Sequence, residues 1–234
     1  MIKRLVFSTV FLTLSLSAQD LTITARVTFD KADGRKVNAG QAVVWLSPQD
    51  SHSNVAPPTS VQSPRLVQHN KTFEPHVLVV PAGSLVAFPN RDPFFHNVFS
   101  LFDGKRFDLG LYEAGSSRDV RFNKPGISYI FCNIHPEMSA VVISLDTPYY
   151  ALASPEGELV VPHVPPGKYT LHLWYEGALP EILRALSREV IVSEANTTLG
   201  VLHLPQAPLS AAHKNLYGRD YDPPVPASPT YARP

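Results

Sequence analysis

Cysteine is nearly absent: among 234 residues there is one, Cys132, which excludes a disulfide framework within the chain. Methionine is almost as scarce, since beyond the initiator Met1 there is only Met138. An excess of charge is missing too. Twenty basic residues balance 20 acidic ones, no basic stripe appears, and so no nucleic-acid partner is expected. The one long apolar run, Leu5 to Leu16, is too short to span a bilayer comfortably. Runs of helical period are few, whereas 23 prolines punctuate the chain, and this favours an all-β protein with many turns. A 44% hydrophobic and 17% charged composition supplies enough apolar material for a core and argues against global disorder.

The apolar run has the layout of an export signal. Lys3 and Arg4 precede it and the small residues Ser17 and Ala18 follow it, so residues 1–18 are expected to be a cleaved signal peptide. The mature chain would then be periplasmic or secreted, with no membrane span and with two more acidic than basic residues. No cysteine stands where a lipid anchor would need one. Export makes the odd cysteine notable, because exported proteins usually pair their thiols. A buried, inert thiol is the ordinary explanation.

Leu21 to Phe29 alternates and is rich in β-branched residues, so it predicts a strand, and Gln41 to Ser47 predicts another. A linker rich in Ser, Pro and Gln follows, from about Pro48 to Pro64. Strand-like runs then recur at Leu66–His69, His76–Val80, Ser84–Phe88, His96–Leu101, Arg118–Phe122, Ser128–Phe131 and Ala140–Leu145. Such spacing predicts a β-sandwich. Further runs lie at Tyr149–Ala153, Glu158–Val161, Lys168–Tyr175, Arg188–Ser193 and Thr197–Leu204. Leu179, Ile182, Leu183 and Leu186 fall at helical spacing behind Pro180, which allows one short helix. Residues 205–234 hold seven prolines and few large aliphatics, and a disordered tail is expected there.

The two rare sulfur residues stand together, in Phe131-Cys-Asn-Ile-His-Pro-Glu-Met138. A thiolate, an imidazole and a thioether within seven residues form a donor set for a soft transition metal, above all copper. Upstream, Phe94-Phe-His96-Asn-Val-Phe99 offers a second imidazole at the start of a strand. This order of His-Asn, then Cys-x2-His-x2-Met, resembles the cupredoxins, and its spacing is similar to the short ligand loop of amicyanin. The resemblance covers about Pro64 to Asp146. It implies a Greek-key β-sandwich with one type 1 copper, held by His96, Cys132, His135 and, as a long axial ligand, Met138. It also implies that Asn97 ties the two ligand-bearing strands together. Phe94, Phe95, Phe99, Phe131 and Ile134 would exclude water. Glu137 is expected to be a solvated carboxylate. Amicyanin-like loops carry proline before the second histidine; Ile134 stands there instead, and its N–H is a candidate donor to the sulfur.

The other histidines (His52, His69, His76, His163, His172, His203 and His213) show no H-x-H or H-E-x-x-H spacing and are expected to lie on strands or the surface. The His-Cys-His pattern of multicopper oxidases and the second cysteine of a binuclear loop are both missing, so an enzyme is not expected.

Glu156-Gly-Glu-Leu-Val-Val161 and Val164-Pro-Pro-Gly-Lys-Tyr-Thr-Leu171 resemble the carboxypeptidase-regulatory-like, transthyretin-like sandwich. That resemblance implies a second small β-sandwich from residues 21–47 plus 149–204, with the copper domain, 64–146, inserted between its halves. Two consecutive domains are the simpler alternative. Trp45, Trp174 and Tyr175 are expected in its core or on a sheet face. The leading functional reading is a one-electron carrier that meets a redox partner protein transiently. Copper delivery or buffering, and an envelope interaction module with a structural copper, are the alternatives.

Overall fold

Alternation of buried and solvated side chains, with many Val, Ile, Thr and Tyr, drives more than half of the described residues into strands. A computed structural model describes residues 19–29, 39–50, 63–101, 104–205 and 213–221. The expected signal peptide, and residues 51–62 of the expected linker, lie outside the described residues.

In chain order come β1 (Leu21–Phe29), a 3-10 turn (Ala39–Gln41), β2 (Val43–Pro48), β3 (Val67–His69), β4 (Thr72–Glu74) and β5 (Val77–Pro81). Then follow β6 (Ser84–Pro89), β7 (His96–Ser100), β8 (Phe107–Tyr112), β9 (Ser117–Phe122), β10 (Gly126–Cys132) and β11 (Ser139–Leu145). The remainder is β12 (Tyr150–Leu152), β13 (Glu158–Val164), β14 (Gly167–Trp174), α1 (Pro180–Leu186), β15 (Arg188–Val192) and β16 (Thr198–Leu204). The fold is all-β apart from one short helix among the described residues. Pro180 opens that helix, and Ile182, Leu183 and Leu186 turn its apolar side onto a core.

Strand β1 lies between β13 and β16, antiparallel to the first and parallel to the second. Strand β2 lies between β12 and β14, with β15 beyond. Ile23, Val27, Val44, Leu46, Leu159, Leu171 and Leu202 from these two sheets share one core. Strands β1 and β2 therefore pair with strands that follow residue 149, and the strands between build sheets of their own.

Those intervening strands form a five-stranded sheet in the order β5-β11-β10-β7-β8, and two-stranded sheets β3-β4 and β6-β9. Val86, Phe88, Val98, Phe122, Ile130 and Val142 fill the core between them. Strand β11 has no polar alternation because both of its faces are covered. Ala140 and Val142 enter the core just described, whereas Val141, Ile143 and Leu145 meet Val43 and Trp174 of β2 and β14. The five-stranded sheet is thus backed by the four-stranded one. Each buried aliphatic in that seam contributes roughly 1.5–3 kcal/mol.

Of the tail expected to be disordered, residues 213–221 are described, and they form a turn whose contacts reach the end of β10. Among the described residues no helix is long and apolar enough to cross a membrane.

Candidate metal centre

The period of a strand aims the cysteine inward. Along β10, Ser128, Ile130 and Cys132 face the core, and Cys132 ends the strand with no exposed surface. Next to it β7 begins at His96, also fully buried, with Cys132 in register with Val98 and Phe131 with Phe99. The chain turns back over residues 133–138 into β11. The Cys132 amide donates to the Met138 carbonyl at 3.1 Å, and the Met138 amide donates to the His135 carbonyl at 3.1 Å. These two bonds fold Cys132, His135 and Met138 onto one another.

His96 Nδ1 lies 3.6 Å and His135 Nδ1 3.5 Å from Cys132 Sγ. All three donor atoms lie within 4.8 Å of one another. A first-row ion held about 2.3 Å from sulfur and about 2.0 Å from nitrogen, at a tetrahedral angle, would set those atoms about 3.5 Å apart. The donors therefore fit a metal. Met138 is fully buried in the same cluster of side chains as Cys132. Glu137 is exposed.

The surroundings of both imidazoles suit the same role. Asp92 Oδ2 accepts a hydrogen bond from His96 Nε2 at 2.9 Å. A carboxylate only accepts, so Nε2 carries a hydrogen, and Nδ1 is the nitrogen that faces the sulfur. Burial pushes the Asp92 carboxyl up, but the Lys71 amide, the His96 ring and the Asn70 amide outweigh it and hold the group below its usual range. Those amides donate at 3.0 Å and 2.6 Å. Asn90 shapes the turn: its Oδ1 accepts from the Asp92 amide at 3.0 Å and its Nδ2 donates to the Phe94 carbonyl at 2.8 Å. Burial first, then the positive charge of His96 and Lys71 against an opposing Asp92, lowers His135 to about 4. His135 is accordingly neutral at neutral pH.

Asp92 was not among the residues singled out from sequence. Its signal, an Asn-x-Asp turn four residues ahead of a candidate ligand, is common and meaningful only once His96 is placed. Asn97 joins its strand to the ligand loop through its main chain, as its carbonyl accepts from the Asn133 amide at 2.8 Å. The Asn97 side chain turns instead to Asp108, donating at 2.8 Å. The hydrogen-bonding neighbours of Cys132 Sγ among the described residues are the two imidazoles; the Ile134 amide is not one of them.

Phe94 flanks both imidazoles, with ring centroids 5.3 Å from His96 and 5.5 Å from His135, and Phe99 is buried. Phe95 and Ile134, expected to exclude water, are instead 50% and 44% exposed. They and the half-buried His135 leave an apolar rim at the surface. A cysteine with no exposed surface is badly placed to attack a substrate, whereas the three converging donor atoms could hold a metal ion.

No family model matches the chain, and no curated protein matches it. Among solved structures it is similar to a purple cupredoxin from Nitrosopumilus maritimus, at 22% identity and a TM-score of 0.33 over 35% of this chain and 99% of that one. Amicyanin from Paracoccus versutus matches at 21% identity and a TM-score of 0.33, over 36% of this chain and 83% of that one. A copper-containing nitrite reductase from Thermus scotoductus matches at 22% identity and a TM-score of 0.35, over 39% of this chain and 26% of that one. The reading of the site rests on its own donors rather than on these likenesses.

Proposed function

We propose that this chain is an exported copper protein with one type 1 site, acting as a one-electron carrier for a transient protein partner. The observation that carries this reading is the convergence of two imidazole nitrogens on one buried sulfur, with Met138 buried beside it. His96, Cys132 and His135 would hold the ion, with the buried Met138 thioether as a further, weaker donor. Copper, when bound, would supply a couple that cycles between Cu(I) and Cu(II). The protein's part is to fix the donors in advance. Asp92 orients His96, the two loop bonds set His135 and Met138, and Phe94 covers both imidazoles. His135, Phe95 and Ile134 give a small apolar contact surface, the kind a short-lived redox encounter uses. Full burial of Cys132, His96 and Met138 favours retention of the ion over its delivery.

In the same reading, residues 64–146 form a cupredoxin-like domain carried between the halves of a carboxypeptidase-regulatory-like sandwich, residues 21–47 and 149–204. The pairing of β1 and β2 with β12, β13, β14 and β16 supports it.

The test is an optical spectrum of the mature protein with Cu(II), beside Cys132→Ser. An intense cysteine-dependent band in the visible is the expected result. A colourless wild-type protein under oxidising conditions would overturn the electron-transfer reading.

A further inference from the structure

Residues 213–221 return from beyond both sandwiches and touch three consecutive residues at the metal cluster. The His213 ring stacks on Phe131 with centroids 4.3 Å apart and planes at 30°. The Tyr221 hydroxyl donates to the Cys132 carbonyl at 2.6 Å. The Leu216 amide donates to Asn133 Oδ1 at 2.8 Å. These contacts flank and include the candidate thiolate ligand, on a segment outside every strand of the chain.

The segment is shaped before it docks. The Asn215 side chain accepts from the amides of Tyr217 and Arg219 at 3.0 Å each. The Asn215 and Arg219 backbones close the turn at 2.9 Å, with Gly218 in the left-handed region at φ 72°. Lys214 pairs with Asp220 across it. His213 and Tyr221, at its two ends, meet edge-on with centroids 5.3 Å apart, and the Tyr221 oxygen lies 3.2 Å from His213 Nδ1. One closed turn thus presents an aromatic ring, a hydroxyl and an amide together.

We propose that this C-terminal turn is a strap that positions the ligand loop, with Tyr221 as the positioning residue for Cys132. The hydroxyl holds the cysteine carbonyl, so the cysteine backbone cannot rotate without breaking that bond. The Leu216 contact restrains Asn133, whose amide is already bound to Asn97. The sulfur is therefore fixed from the strand side by β7 and from the outer side by the strap. The consequence for the metal rests on the copper reading given above, whereas the consequence for the loop does not.

The test compares the full mature chain with Tyr221→Phe, with a truncation after Pro205, and with Tyr217→Phe as a control. Tyr217 lies on the same turn, is 76% exposed, and its hydroxyl contacts none of the site residues described here. Hydrogen exchange of amides 131–139 in the metal-free protein is read first. Loss of the Tyr221 bond should speed exchange there about fivefold, and truncation should speed it further, with the exchange of β1 and β14 unchanged. Release of Cu(I) to a chelator is read second and should quicken in the same order, while Tyr217→Phe behaves as wild type. Equal exchange and equal release in Tyr221→Phe, the truncation and wild type would overturn the strap. If wild type takes up no copper, the copper reading fails, and the exchange measurement still decides whether the strap holds the loop.

Discussion

Asp92 spreads its two oxygens over three donors: Oδ1 takes the Asn70 amide, while Oδ2 takes both the Lys71 amide and His96 Nε2. Its charge thereby does two things at His96. It fixes which nitrogen bears the hydrogen, and it makes the other nitrogen more basic. Asp92→Asn keeps the size but replaces one acceptor with an amide donor. Either the backbone amides or the imidazole must then lose a partner. Copper affinity should fall about 10–100-fold by chelator competition, with the reduction potential raised because less negative charge supports Cu(II). Thermal unfolding of the metal-free variant separates this from simple destabilisation. Affinity equal to wild type would mean that Asp92 only pins the turn at residues 70 and 71. The cysteine, His135 and Met138 were legible in the sequence because one seven-residue run contains them. Asp92, His213 and Tyr221 were not, since their parts depend on a turn and on the chain's return from a distance.

Among the elements, nearly every alternating run is a strand to within a residue or two at each end, with Gly126–Cys132 and Glu158–Val164 extending furthest beyond their expected ranges. The two strands missed are instructive. Thr72–Glu74 is too short to show alternation, and Phe107–Tyr112 carries Asp108 and Gly110, residues depleted from strands. Gly110 has φ 64°, and the pairing of β7 with β8 shifts register between Asn97 and Phe99. A bulge there is tolerated because the Asp108 side chain ties Asn97 and the Gly110 amide at once. Sequence alternation carries no record of such side-chain ties. The Glu156-Gly157 turn shows the opposite case, a local signal with a steric reason. Gly157 has φ 86°, and a Cβ there would stand 2.2 Å from the Val27 carbonyl oxygen. Gly157 and Val27 also bond directly, the Val27 amide donating to the Gly157 carbonyl at 2.7 Å. Gly157→Ala should cost about 1–3 kcal/mol from backbone strain alone, with more from pushing β1 away. A lowered urea midpoint with the Cys132-dependent band retained is the expected outcome; an unchanged midpoint would show that β1 moves freely at this turn.

At the scale of the whole molecule, the four-stranded and five-stranded sheets meet through the apolar seam of Val141, Ile143 and Trp174, and also through one polar tie. His76, which leads into β5, donates from Nδ1 to the Ser139 carbonyl at 3.1 Å and pairs through Nε2 with Glu176 at 2.6 Å. Ser139 follows Met138 directly, and Glu176 lies just beyond β14, so the tie runs from the loop that holds His135 and Met138 to the four-stranded sheet. With a carbonyl at one nitrogen and a carboxylate at the other, the ring is best satisfied when both nitrogens carry hydrogen. The Glu176 hydrogen bond, reduced by burial and reinforced by the Glu176 charge and the Ser139 carbonyl, raises the His76 pKa. A raised folded-state value means the tie contributes fully below the unfolded value of about 6.5 and fades as pH climbs through the folded one. The side chains are 31% and 24% exposed, so solvent screening limits the contribution to about 1 kcal/mol. Glu176→Gln removes the charge and keeps the shape. Urea unfolding from about pH 5.5 to about pH 8.5 should show wild type more stable than the variant at the acid end, with the difference closing toward the alkaline end. The His76 titration followed by NMR should move down in Glu176→Gln. A stability difference that stays flat across that range would mean the two sheets are held by the apolar seam alone, and that the loop at residues 133–138 is insulated from protonation at their boundary.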